Sequence, residues 1–163
     1  MIVVADTTPL NYLIQLGHVD VLREFYGRVL VPHAVLMEMQ HAEAPPEVHA
    51  WALGPPEWLE RVEVRQLDAS LPAELGDGER EAISLALEVK ADALLIDEWA
   101  WRREATARHL EIAGTLAILL RASLRGYLAF PEALDRLRQC GFRMSKSVEA
   151  AMLAYYNQQS QGS

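Results

Sequence analysis

Four carboxylates stand where a folding chain has little local use for them. Asp6 follows the apolar run at 2–5, and Asp97 follows the run ALLI at 93–96, each where a buried strand gives way to a helix. Asp6 is not needed as a helix cap, because Thr8 followed by Pro9 supplies an N-cap and the proline suited to a first turn. Asp97 has a second explanation as an ordinary cap of the helix after it, although Ala100, three residues on, completes no capping box. Glu38 shares a helical stripe with Ala34 and Val35, and Glu79 heads a stripe of Ala82, Ile83 and Ala86. Both then project from faces that read as apolar. The alternatives are a solvated helix edge for Glu38 and, for Glu79, an acid offsetting the helix dipole.

An ionised carboxylate on an apolar face is costly unless it is paired or bound to a cation. If the fold gathers all four, they repel: two unit charges ~4 Å apart do so by about 1 kcal/mol in water and about 4 kcal/mol at an effective dielectric of 20. Oxygen-only donors of this kind suit Mg²⁺ or Mn²⁺. The scattered His18, His33, His41, His49 and His109, with the single Cys140, offer no zinc spacing.

The elements that must position these acids follow from the pattern of apolar runs. Short apolar runs at 2–5, 28–32 and 93–96 read as buried strands, LEIAGT at 110–115 as a last strand, and RVEVRQL at 61–67 as an edge strand. Between them lie helical stretches from Thr8 to Gly17, about 19–25, from Pro32 through Met39, about 47–53, about 12 residues capped by Asp77, from about Glu98, and at 115–125. Helices near 131–139 and 146–157 follow, and residues 159–163 are expected to be a disordered tail. Strand and helix alternate, so the expected fold is α/β: a central parallel sheet covered on both sides, in one domain over 1–158. In such sheets sites form outside the carboxyl ends of the strands, where Asp6 and Asp97 stand.

Composition narrows the class further. A chain of 163 residues, 51% apolar and 23% charged, suits one domain with a sizeable core. One cysteine forms no internal disulfide, no secretory leader is legible before MIVVAD, and no apolar stretch has membrane-spanning length; a cytoplasmic location is expected and no membrane partner. The net charge of -8 hides a polarity: residues 1–97 carry 6 Lys/Arg against 17 Asp/Glu, whereas 98–146 carry 9 against 5. An acidic part meeting a basic, arginine-rich part suits metal-dependent chemistry on phosphodiesters, and equally a set of solvated helix faces.

With VADTTPL at the start, VPHAVLMEM, LGDGEREAISLALEVKADALLIDEWAWRREA, IAGTLAILLRA and GFRMS in this order, the chain resembles the PIN-domain nucleases, and within them an uncharacterised subfamily related to the toxins of VapBC-type toxin–antitoxin pairs. The 18-position interval from Glu79 to Asp97 matches the family's spacing. The resemblance implies a three-layer α/β/α fold, with Asp6, Glu38, Glu79 and Asp97 as catalytic, metal-binding acids. Thr7 stands where the family often places a hydroxyl that organises the acids, Asn11 and Glu98 would support them, and Glu81 and Glu98 are alternative ligands. Two departures concern the metal shell: the wider family more often has Asp at the position of Glu79, and a hydroxyl at that of Leu95.

The implied activity is Mg²⁺- or Mn²⁺-dependent endoribonucleolytic hydrolysis of RNA phosphodiesters, with Arg102 and Arg103 as phosphate contacts and Trp99 and Trp101 as bases' stacking partners or core residues. A small antitoxin and a homodimer are implied partners. Two other readings stay open. One is a degenerate PIN fold that binds protein or RNA without cutting. The other is an Asp6-nucleophile phosphatase, which the Thr at position 8 disfavours because that chemistry uses a second Asp there.

Overall fold

The computed structural model describes residues 1–97 and 101–161. Five strands form one sheet: β1 (Val3–Ala5), β2 (Val29–Pro32), β3 (Leu59–Val62), β4 (Ala93–Leu95) and β5 (Glu111–Ala113), ordered β3-β2-β1-β4-β5. Every neighbouring pair is parallel. Val3, Val4 and Ala5 are fully buried, as a central strand covered on both faces must be.

The strand order decides where the helices go. From β1 the chain moves outward to β2 and β3, then returns across the sheet to β4 on the other side of β1 and continues to β5. Right-handed crossovers taken in opposite directions place their helices on opposite faces. Hence α1 (Thr7–Leu16) and α2 (Val21–Tyr26) belong to one layer, with α4 (Pro46–Leu53) packed on α1, and α5 (Asp77–Glu88) and α6 (Arg102–Ala107) to the other, while α3 (His33–Met39) packs against both α1 and α5. α1 packs on α3, α4 and α7 (Thr115–Leu124), and α5 lies against β1, β2 and β4. The chain ends in α8 (Phe130–Gln139) and α9 (Lys146–Gln161), which rest on α7 and on each other. This is the expected three-layer α/β/α single domain.

Some boundaries differ from those the sequence predicts. α1 begins at Thr7, so Asp6 rather than Thr8 holds the N-cap position, and Pro9 sits in the first turn, where its missing N–H is no loss. Gly76 takes the N-cap position of α5 and Asp77 is its first helical residue. The edge strand lies at Leu59–Val62 rather than 61–67, because Pro32↔Val62 is the last pair that β2 offers. α9 runs through Gln161, so residues 159–161 of the expected tail are helical; Ser160 Oγ donates back to the Tyr156 carbonyl across the last turn. Among the described residues, no helix is long and apolar enough to cross a membrane.

Candidate active site

The chain's change of direction puts β1 and β4 side by side as the two strands whose connections leave in opposite senses, and the crevice at their carboxyl ends is where such sheets bind ligands. Register carries the acids there. Ala5 pairs with Leu95, and the Asp6 N–H donates to the Leu95 carbonyl at 2.9 Å, one step beyond the strands. Asp6 and Asp97 therefore stand on the same rim.

Asp6 is 3% exposed, holds the N-cap position of α1 and makes no side-chain cap hydrogen bond. Its Oδ1 is buried and meets no hydrogen-bond partner among the described residues. Burial pushes its carboxyl up to about 7; the Thr7 backbone N–H pulls the other way, and repulsion from Glu79, Glu38 and Asp97, in that order, adds to the rise. The charges of all four predicted acids thus meet at Asp6.

Glu38 and Asp97 are held by neighbours far away in the chain. Glu38 Oε2 accepts from Thr7 Oγ1 at 2.7 Å and Oε1 from the Gly78 N–H at 3.0 Å. Its residue, in the last turn of α3, is exposed and not turned into an apolar face. Asp97 Oδ1 accepts from the Thr115 N–H at 2.9 Å and Oδ2 from Thr115 Oγ1 at 2.7 Å. Burial raises the Asp97 carboxyl, and both Thr115 bonds oppose the rise. Asp97 therefore caps α7, 18 residues on. Thr115 also supplies the hydroxyl missing at position 95, where Leu95 is fully buried core.

Two glycines make these approaches possible. A Cβ on Gly78 would lie 2.5 Å from Glu38 Oε1, and one on Gly114 would lie 2.6 Å from Asp97 Oδ1. Glu81 has a different occupation: its Oε1 accepts from the Ala34 N–H at 3.1 Å, in the first turn of α3, where Pro32 at the N-cap position provides no side-chain acceptor. α3 and α5 exchange caps in this way, Glu38 at the start of α5 and Glu81 at the start of α3. Such carboxylate bonds to helix-end N–H groups each stabilise by roughly 1 kcal/mol.

The remaining predicted residues divide. Thr7 joins the site through Glu38. Asn11 Oδ1 accepts from Gln15 Nε2 at 2.7 Å, one turn further along α1. Arg102 lines a groove of about 510 Å³ that opens beside Asp97, whereas Arg103 is exposed on α6 and does not line it. Trp101 is 3% exposed and belongs to the core. Glu98 and Trp99 lie outside the described residues.

Sequence reasoning passed over Thr115, Gly78, Gly114 and Arg143, the last of which lines the same groove. A legible signal existed for three of them. Gly78 inside a first helical turn costs about 1 kcal/mol relative to alanine and so asks for a reason, and Gly114-Thr115 directly after a strand is a cap sequence.

The donor chemistry fits a hard divalent cation: every donor is oxygen, and a buried Asp6 oxygen is left without a partner. The spacing is open, since among the described residues no three Asp, Glu, His or Cys side chains are gathered closely enough to hold an ion between them.

A single parallel sheet with acids at its switch point defines a PIN-like α/β/α domain. The family model DUF3368, described as a PIN domain, matches residues 2–158, and the chain belongs to that family, whose fold is a nuclease fold. No curated protein is significantly similar to the chain.

Proposed function

We propose that the protein is a metal-dependent ribonuclease that hydrolyses RNA phosphodiesters at the β1/β4 rim. The observation that carries this reading is the buried Asp6 carboxylate, with one oxygen unanswered, in the combined field of Glu79, Glu38 and Asp97. A bound cation relieves a carboxylate so placed without protonating it. Asp6, Glu38, Glu79 and Asp97 would hold Mg²⁺ or Mn²⁺, which supplies activation of water and charge neutralisation at the phosphate when bound.

The chain's own residues do the positioning. Thr7 and Gly78 fix both oxygens of Glu38, and Thr115 fixes both of Asp97, so these acids keep their aim when substrate arrives. Arg102 and Arg143 place positive charge beside Asp97 for the RNA backbone. The resemblance of VADTTPL, LGDGERE and GFRMS to an uncharacterised PIN subfamily related to the toxins of VapBC-type pairs supports the role of toxin in a toxin–antitoxin pair, acting in the cytoplasm, with a small antitoxin as partner and a homodimer as assembly.

A second reading has one observation in its favour: the open spacing of the acids suits a PIN fold that binds protein or RNA without cutting. Incubating defined single-stranded RNAs with wild type and Asp97→Asn in Mn²⁺ separates the two. Cleavage by wild type that EDTA stops and Asp97→Asn lacks supports the nuclease; RNA binding without cleavage in both supports the binding module.

A further inference from the structure

Apart from Asp97 and Gly114, the groove is built from parts of the chain that the acid rim does not use. Phe142, Met144 and Met152, from the link before α9 and from α9 itself, face Ile112 and Leu116 across it. Arg102 and Arg143 line it together with these apolar groups. The Tyr12 ring meets that of Phe142 edge to face at 5.1 Å and 83°, which holds this wall in place from outside the groove. Its volume, about 510 Å³, lies within the roughly 300–1,000 Å³ typical of small-ligand sites.

We propose that this groove receives the nucleobase adjacent to the scissile phosphate, with Arg143 contacting the RNA backbone. The proposal rests on the nuclease reading of the acid rim. The charge pattern selects a nucleotide over other occupants: an apolar wall with an aromatic side chain offers a stacking surface to any base, while guanidinium groups meet the phosphates on either side. Arg143 forms no ion pair among the described residues and is exposed, so its charge is available to a polyanion. The groove also touches Asp97 directly, which sets a base held there one sugar-phosphate step from the acids.

The test uses binding, so that it does not depend on cleavage. Fluorescence anisotropy with the Asp6→Asn protein in EDTA compares a labelled single-stranded oligoribonucleotide of mixed sequence with a fully abasic oligomer of the same length. The base-bearing oligomer should bind about tenfold more tightly, the size of one stacking contact. Val148 is 43% exposed and lines the groove, so Val148→Trp narrows it without entering the core, and should abolish this preference. Arg143→Gln should weaken both oligomers alike and reduce the salt slope of binding by about one.

Equal binding of the two oligomers, or a preference that survives Val148→Trp, overturns the proposal. So does a protein partner that Val148→Trp displaces while the base preference stays intact. A base preference without any Mn²⁺-dependent cleavage by wild type supports the groove and overturns the nuclease reading. Cleavage with KM unchanged in both groove variants does the reverse.

Discussion

Asp68 and Asp6 are the same residue type in one chain, and their surroundings drive their carboxyls in opposite directions. Asp68 lies on the surface between α5 and α6. Its Oδ1 accepts from the Ser70 N–H and hydroxyl and its Oδ2 pairs with Arg108 at 3.2 Å, so its carboxyl is held below the ordinary value, chiefly by Ser70. Asp6 is buried, has an oxygen without a partner, and is surrounded by the charges of three other acids, so its carboxyl rises to about 7. The protein answers the first charge itself and leaves the second unanswered. An acid whose charge is fully met inside the chain stabilises the fold; one left unmet at the switch point of a parallel sheet is the better guide to chemistry.

The largest effect that sharpens this contrast is at Asp6. Asp6→Asn should lower RNA cleavage in Mn²⁺ by about 10²–10³-fold or more, measured as initial rates on a defined oligomer. It should also stabilise the metal-free protein at neutral and alkaline pH. The sign follows from the raised value: between the unfolded 3.8 and the folded value of about 7, the native state binds more protons, so wild-type stability falls as pH rises through that window and is level above it. The full cost is on the order of 4 kcal/mol, and chemical denaturation of Asp6→Asn from pH 4 to 8 should show the slope removed.

Next come the glycines that allow backbone to approach the acids. Gly114→Ala should displace Asp97, and Gly78→Ala should displace Glu38, lowering kcat about 10–100-fold while circular dichroism shows the same helix content. A wild-type rate in both variants would break the link between these close approaches and activity.

A smaller effect belongs to Glu81, the acid that capping employs. Glu81→Ala should cost about 1 kcal/mol of stability, read by urea denaturation, and leave kcat unchanged. A loss of activity equal to that of Asp6→Asn would return Glu81 to the set of ligands. The smallest effect lies at the other pole of the comparison. Arg108→Ala should cost at most about 1 kcal/mol at pH 7, diminishing as pH falls and Asp68 protonates, because a depressed carboxyl stabilises only while ionised.

Much of the frame was legible because buried parallel strands are written as short apolar runs: 2–5, 28–32 and 93–96 each mark a strand, and the acid after the first and the last marks its carboxyl end. What lay beyond reach was pairing between distant segments. Nothing near Asp97 in the chain shows that its partner is Thr115, and nothing near Glu38 shows that Gly78 approaches it, since both bonds exist only once α5 and α7 are laid against the rim. The same holds for Glu81, which reads as a candidate ligand by its place beside Glu79 and is taken instead by the Ala34 N–H.

The central claim is that the unmet charge at Asp6 belongs to a divalent cation, and thermal unfolding of wild type and Asp6→Asn at pH 8, in EDTA and in Mn²⁺, tests it most directly. Mn²⁺ at about 100 times its Kd should raise wild-type stability by about 2.7 kcal/mol, a shift of roughly 5–11 °C in Tm, and should leave Asp6→Asn nearly unmoved. An equal Mn²⁺ response in the two proteins, or none in wild type, would contradict it.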